Sequence, residues 1–216
     1  MNDRPTFYRR YGKRLFDVVV SVLALVMLSP LLLVLAVLIR CFLGAPILFC
    51  QRRSGFGQRP FTILKFRTMT NARDAAGELL PDSERLTRFG KLLRLTSLDE
   101  LPELWNVVKG DMSLVGPRPL LPQYDTYYSE RELRRFDLLP GITGWAQING
   151  RNDLVWDDRL ECDVTYVESC SFLLDLKILC LTVLKVLRRD NVQPDPGATF
   201  GALDVERRHR DTAEMS

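Results

Sequence analysis

Residues 18–39, VVVSVLALVMLSPLLLVLAVLI, form an uncharged, almost wholly apolar run with Ser29-Pro30 at its middle. At about 1.5 Å rise per residue the run reaches roughly 33 Å, enough to cross the ~30 Å hydrocarbon core of a bilayer. A proline in a helix interior removes a backbone hydrogen bond and crowds the preceding turn, so a kink is expected near Leu28 to Pro30. Lipid offers no partner for the freed carbonyls. The hydroxyl of Ser29 is placed to bond a carbonyl one turn back and sharpen the bend.

The flanks decide between two membrane geometries. Arg4, Arg9, Arg10, Lys13 and Arg14 precede the run, and Arg40, Arg52, Arg53 and Arg59 follow it. Positive charge marks the cytoplasmic end of a span, and here both ends carry it. A spanning helix with a tolerated kink is one reading. A helical hairpin that enters, turns at Ser29-Pro30 and leaves on the same face is the favoured one. A secretory signal fits worse, because the run is longer than such an apolar region and no small-residue cleavage site follows.

Outside the run roughly 175 residues remain, suited to one compact domain. The chain has 216 residues and a net charge of +3, with basic residues spread along it rather than striped between aromatics. Nucleic-acid binding gains no support from that pattern, whereas attraction to an anionic leaflet does. Cys41, Cys50, Cys162, Cys170 and Cys180 make an odd number without a C-x-x-C pair, so they read as reduced thiols. His209 is the one histidine in the chain. Histidine triads and histidine-bound metals are therefore improbable, and any catalysis falls to carboxylates, arginines and an oxygen-bound metal.

The expected class is α+β, mostly α: a re-entrant membrane helix and a small cytosolic catalytic domain with interfacial amphipathic helices and a short β-hairpin. ILF and FTILKF flank the turn-rich QRRSGFGQRP and suggest that hairpin. Residues 70–84, broken by Gly77 and Pro81, read as a polar helix or loop. From Arg85, apolar Leu86, Phe89, Leu92 and Leu93 alternate with basic residues in a helical pattern. Residues 172–187, FLLDLKILCLTVLKVL, hold three charges, too many for a good span, and read as an interfacial or packed helix. Three regions follow: 1–44, basic N-terminus and membrane helix; 45–190, catalytic domain; 191–216, a loose tail without periodicity.

Three segments could carry chemistry. In TSLDELPELW, 96–105, Ser97 and Glu100 have capping-box spacing, which predicts a helix start. Either the segment is simply a well-capped helix, or Asp99 in the first turn is an ionised nucleophile and Glu100 a hard ligand for magnesium. In GPRP, 116–119, two prolines restrict where Arg118 points, giving either a rigid turn or a phosphate clamp. PGITGWAQINGR, 140–151, is by itself a Gly-studded loop.

Together with KRLFDVVVSVLALVMLSP, QRRSGFGQRPFTILKFRTM, LRLTSLDELPELWNVVKGDMSLVGPRP, PGITGWAQINGRN and the stretch from Leu160 to Leu181, these segments resemble the bacterial sugar transferases, the monotopic phosphoglycosyl transferases. The resemblance covers roughly residues 10–190. It implies transfer of a sugar 1-phosphate from a UDP-sugar to undecaprenyl phosphate at the cytoplasmic face of the bacterial inner membrane, among membrane lipids and without nucleic acid. It implies Asp99 as a covalent nucleophile, Glu100 as the holder of Mg2+, and Ser29-Pro30 as the break in a re-entrant helix. Lys65, Arg94, Arg118, Arg151, Asp163 and Asp175 match positions assigned to the active site. Asp163 as a surface carboxylate and Asp175 as the partner of a nearby lysine are the competing readings. The chain lacks the large N-terminal membrane region of longer relatives, so the resemblance implies a minimal catalytic form. A catalytically dead membrane scaffold is the alternative class, against which the presence of Asp99, Glu100 and Arg118 argues. The donor sugar leans to an N-acetylhexosamine, and the oligomeric state stays open, a homodimer included.

Overall fold

The computed structural model describes residues 7–150, 155–188 and 203–214. It is mostly helical, with a small two-stranded antiparallel sheet and one long apolar helix near the N-terminus. That helix, α1 (Lys13–Phe42), follows a π-helical turn over Tyr8–Gly12 and stays helical through Pro30. Ser29 Oγ donates to the Val26 carbonyl at 2.8 Å, the back-bond expected beside the proline. Among the described residues α1 and its leading turn form the one helix long and apolar enough to cross a membrane, and so to anchor the chain in one.

The middle of α1 is bare: Val26, Met27 and Leu33 are 67, 79 and 67 % exposed. Its two ends are not. Near the start, Lys13, Asp17 and Ser21 are buried, and Asp17 accepts from Ser113 Oγ at 2.7 Å and from the Leu114 amide at 3.2 Å. Near the end, Leu35, Ile39 and Leu43 pack with Phe66 and Leu93 in a buried apolar cluster. Both ends dock on one body.

Strands β1 (Leu48–Ser54) and β2 (Pro60–Phe66) pair antiparallel, with Leu48 opposite Phe66 and Ser54 opposite Pro60. The expected hairpin is present, but its first strand runs on through Gln51, Arg52 and Arg53, which had the composition of a turn. Arg67, next after β2, donates to the carbonyls of Leu43 at 2.6 Å and Pro46 at 3.3 Å and so clasps the exit of α1.

After a loop and the short α2 (Asp82–Arg85), α3 (Arg88–Leu95) begins at an N-cap, Thr87, whose Oγ1 accepts from the Gly90 amide at 3.0 Å. The helix thus starts three residues later than the pattern from Arg85 suggested. α4 (Glu103–Lys109) leads into β3 (Ser113–Val115). Then α5 (Glu130–Leu133) is followed by β4 (Gly141–Thr143), which lies parallel to β3. This second pair was not foreseen, because three-residue strands are too short to show alternation. Gly116 and Gly141 pass so closely that a Cβ on Gly141 would sit 2.1 Å from the Gly116 nitrogen.

α6 (Trp145–Asn149), α7 (Trp156–Ser169) and α8 (Phe172–Arg188) complete the body. α8 is the helix expected over 172–187, with Ile178 buried and Leu173 and Leu187 largely exposed. Leu104, Val107, Met112, Val115, Tyr166 and Val167 form the central core between α4, β3 and α7. Part of the segment expected to be loose is instead helical: α9 (Leu203–Glu214). Its Leu203 is fully buried beside Trp156 and Leu160, and Arg207 bonds Glu132 at 2.6 Å and Asp157 at 2.7 Å. Those partners are distant in sequence and leave no local signal.

Gly90 lets α3 lie against β2's extension, since a Cβ there would sit 1.8 Å from the Thr68 carbonyl oxygen. Alanine at an open helix position stabilises, but here it forces the two segments apart. Gly90→Ala should therefore lower the melting temperature by about 3–9 °C, from ~1–3 kcal/mol of overpacking. A thermal scan of purified protein in detergent that shows no change, or a rise, would remove this contact from the account.

Candidate active site

Lys65, the penultimate residue of β2, sits between two carboxylates. Its Nζ lies 2.6 Å from Glu100 Oε1 and 3.1 Å from Glu103 Oε1. Arg118 Nη2 reaches the same Glu100 oxygen at 3.1 Å. The Lys65 and Glu100 side chains are 18 and 20 % exposed, Glu103 is buried, and Arg118 is half-exposed. Asp99, beside Glu100, is 9 % exposed. Arg94, in the last turn of α3, donates from Nε to Thr68 Oγ1 at 3.1 Å, and its charge acts on Asp99.

The backbone that presents the acids is not the one their spacing predicts. Ser97 is left-handed, with φ of 54°, and makes no capping bond from its side chain. Leu98–Glu100 form one 3-10 turn, and α4 starts only after Pro102. Proline is well suited to the start of a helix because it lacks an amide hydrogen. The expected capping box is therefore absent, and Asp99 does not draw on the dipole of a long helix.

Charge then sets the acids apart. Burial, and then the neighbouring Glu100, push the Asp99 carboxyl above the ordinary carboxylate range, against the pull of Lys65 and Arg94. Burial would also raise Glu100, but Lys65 and Arg118 reverse it and hold that carboxyl well below its usual range. Glu103 is raised, by burial and then by Glu100. For Lys65, burial opposes the charge, and Glu100 and Glu103 overcome it. Asp99 is thus a buried acid beside a committed anion, and Lys65, Arg94 and a backbone hydrogen bond favour its charged form.

Of the other expected site residues, Asp163 lies one layer back. It is buried, not on the surface, and accepts from Arg135 Nη2 at 2.8 Å and Nε at 3.2 Å. Arg135 Nη2 also donates to the Arg118 carbonyl at 2.7 Å, so the pair braces the segment that carries Arg118. Asp175 belongs to a different cluster. It accepts from Lys13 Nζ, Tyr8 Oη and Tyr166 Oη, each at 2.6 Å, and so ties α8 to the start of α1. Its lysine partner is 162 residues away, not nearby in sequence, and Tyr8, Lys13 and Tyr166 all bond its carboxylate from inside the protein. Arg151 lies outside the described residues.

Glu103, Arg53 and Arg135 were not singled out from sequence. Glu103 follows Asp99 by four residues and Glu100 by three, a spacing that places side chains together on a helical path, so a signal existed. Arg53 is pushed down to about 10 by burial and by Arg118, a second guanidinium close to the first. Arg135 had no motif to mark it.

For a metal, the donors present are oxygens. No three of His, Cys, Asp and Glu converge on one point among the described residues. Both cations on Glu100 bind Oε1, which leaves Oε2 without a hydrogen bond or ion pair among the described residues. One low-pKa carboxylate with a spare oxygen beside a second acid suits Mg2+, which is commonly held by one or two carboxylates with substrate phosphates supplying the rest.

Comparison with known proteins agrees with this chemistry. A family model described as bacterial sugar transferase matches residues 8–189. The sugar transferase EpsL of Bacillus subtilis is 54 % identical over 181 residues, which cover 84 % of this chain and 90 % of that protein. The undecaprenyl-phosphate glucose phosphotransferase of Komagataeibacter xylinus is 44 % identical, over 79 % of this chain and 35 % of that longer protein. A UDP-N-acetylgalactosamine-undecaprenyl-phosphate N-acetylgalactosaminephosphotransferase of Aeromonas hydrophila is 39 % identical, over 85 % of this chain and 45 % of its own length. A match over most of the chain, with the acids and cations gathered at one site, places this protein in the bacterial sugar transferase family.

Proposed function

We propose that this chain transfers a sugar 1-phosphate from a UDP-sugar to undecaprenyl phosphate through a covalent intermediate on Asp99. The observation that carries the reading is the meeting of Asp99 and Glu100 with Lys65 and Arg118, on a body to which both ends of an apolar helix are docked. Relatives named for undecaprenyl-phosphate sugar transfer supply the substrate class. Their names divide between glucose and N-acetylgalactosamine, so a screen of UDP-sugars decides the donor.

On this reading an Asp99 carboxylate oxygen attacks the phosphorus that bears the sugar, and the bridging bond to the uridylyl phosphate breaks. UMP leaves with the electron pair of that bond. A phosphate oxygen of undecaprenyl phosphate then attacks the same phosphorus, the aspartyl–phosphorus bond breaks, and the carboxylate is restored. Arg118, Lys65 and Arg94 offset the charge of the diphosphate, the kind of stabilisation on which phosphoryl transfer depends. Glu100, with Asp99 beside it, would hold Mg2+, which supplies charge neutralisation on the transferred phosphoryl group. The Asp163–Arg135 pair keeps Arg118 aimed.

One substrate is a long lipid and the other is soluble, so the site belongs at a membrane surface. The docking of both ends of α1 on one body supports the hairpin reading, with its bare middle around Val26 to Leu33 in the lipid and the catalytic domain on the cytoplasmic face. A straight span of this length would carry its far end across the bilayer from the domain.

Mass spectrometry of enzyme incubated with UDP-sugar and no lipid acceptor should find a sugar-phosphate adduct on the peptide containing Asp99. Asp99→Asn should lack it and lose turnover by at least about a thousandfold. Intersecting kinetic lines without an adduct would favour direct transfer instead. EDTA should abolish turnover and Mg2+ restore it, with Glu100→Gln needing more Mg2+; full activity in chelator would exclude the metal. In a background with the native cysteines replaced, single cysteines beside Arg10 and Arg53 should both resist an impermeant reagent in intact cells. Periplasmic labelling of either one would convert the hairpin into a span.

A further inference from the structure

A cavity of about 510 Å³ opens between the first turns of α1 and the segment before β4. None of Lys65, Asp99, Glu100 or Arg118 lines it, so it is distinct from the cluster of acids and cations described above. The π-helical turn and α1 bring Arg9, Arg10, Lys13 and Arg14 to its wall, and Arg134 faces them from the other side. Asp17 and Asp137 are the acids of the lining, two against five cations.

The partners of those charges show which of them stay available. Asp17 is taken by Ser113 and the Leu114 amide, and Lys13 is neutralised by Asp175. Arg134 pairs with Glu168 at 2.8 Å and lies 3.9 Å from Asp137. Arg14 donates only to the neutral carbonyls of Val107 and Val108, at 2.6 and 3.0 Å, so its charge is solvated by dipoles and not cancelled. Arg10 is exposed, packs on the Tyr11 ring at 5.3 Å, and has no acidic partner among the described residues. The cavity is therefore electropositive by virtue of Arg10 and Arg14 above all.

Its position names the kind of anion. Phe56, Leu138 and Leu139 supply an apolar part of the wall, and the Phe56 ring is half exposed. Phe7 and Tyr11 are exposed just before α1, as aromatics are at a membrane interface, and exposed Leu15 and Val19 follow on α1 into the apolar run. A lining that combines several cations with apolar Phe56, Leu138 and Leu139 fits a phosphate that carries a hydrocarbon.

We infer that this cavity binds the phosphodiester headgroup of an anionic membrane lipid, with the phosphate between Arg10 and Arg14 and the acyl-bearing side of the lipid against Phe56, Leu138 and Leu139. The position of the cavity at the lipid surface rests on the hairpin reading of α1. The acceptor lipid is not its occupant, because that phosphate has to reach Asp99. A lipid held here fixes the depth of the α1 entry point, and with it the height of the catalytic site above the bilayer.

Native mass spectrometry of the full-length protein in detergent tests this without a bilayer. Offered phosphatidylglycerol and phosphatidylcholine together, the wild type should retain one phosphatidylglycerol in clear preference. Arg10→Gln should weaken that retention about fivefold and Arg10→Glu more, since each surface cation is worth ~1 kcal/mol toward anionic lipid. Arg40→Glu, at the other flank of the same helix and outside the cavity, should retain the lipid as the wild type does. Equal retention of the two lipids, or equal loss in Arg40→Glu, overturns the site in favour of general surface charge. Complete displacement by millimolar inorganic phosphate overturns the lipid and leaves a free-anion site. Because retention in detergent does not depend on topology or on the Asp99 adduct, failure here is separate from failure of the hairpin or of the transfer reaction.

Discussion

The ion pair between Lys65 and Glu100 sits at the end of a strand whose next three residues hold the rest of the structure together. Lys65 neutralises Glu100 and approaches Glu103. Phe66 turns the other way, into the cluster of Leu35, Ile39, Leu43 and Leu93. Arg67 binds the carbonyls that follow α1, and Thr68 accepts from Arg94 while its carbonyl receives the close approach of Gly90. Strand geometry sends successive side chains to opposite faces, so four consecutive residues can link the catalytic charges on one side to the membrane helix on the other. The registry between the site and α1 is set over one short stretch of backbone.

Taking acids out of water is costly, and this site withdraws three of them with few hydrogen bonds of their own. Glu100 is stabilised by two cations, whereas Asp99 and Glu103 are raised by burial and by Glu100 itself. Such an arrangement depends on its cations, and in the proposed reaction a metal carried with the substrate phosphates would add to them. Arg118 is held half-exposed by its neighbouring prolines and by Arg135 behind it, which keeps its guanidinium available while its backbone is fixed. Perturbed carboxylates of this kind gather where chemistry is done.

Much of this was legible before the structure because it rests on local pattern. The 18–39 run, the Ser29 back-bond, the β1–β2 hairpin and the helix from Phe172 all follow from residues within a few positions of each other. The failures are equally specific. Ser97 and Glu100 have the spacing of a capping box, but Pro102 sets the helix start after them, and a 3-10 turn takes the residues between. Arg14, Lys13 and Arg53 were counted among the basic membrane flanks, yet each works inside the protein, on carbonyls, on Asp175 and beside Arg118. Charge pattern tells that a residue is cationic; its partner, a hundred residues away, is a property of the fold.

Asp163 and Asp175 show what this distinction means for function. Resemblance grouped both with the active site, and both are buried acids paired with a cation. Asp163 binds Arg135, which binds the Arg118 carbonyl, so its influence ends on a residue that touches the reacting phosphates in the proposed reaction. Asp175 binds Lys13, Tyr8 and Tyr166, so its influence ends on the entry of α1. Removing one partner from either pair leaves an uncompensated buried charge, at roughly 3–5 kcal/mol, and stability alone cannot tell the two apart. What separates them is where the bonded chain leads: in the proposed reaction one buried ion pair supports the chemistry, and the other supports the helix that would bring it to the lipid.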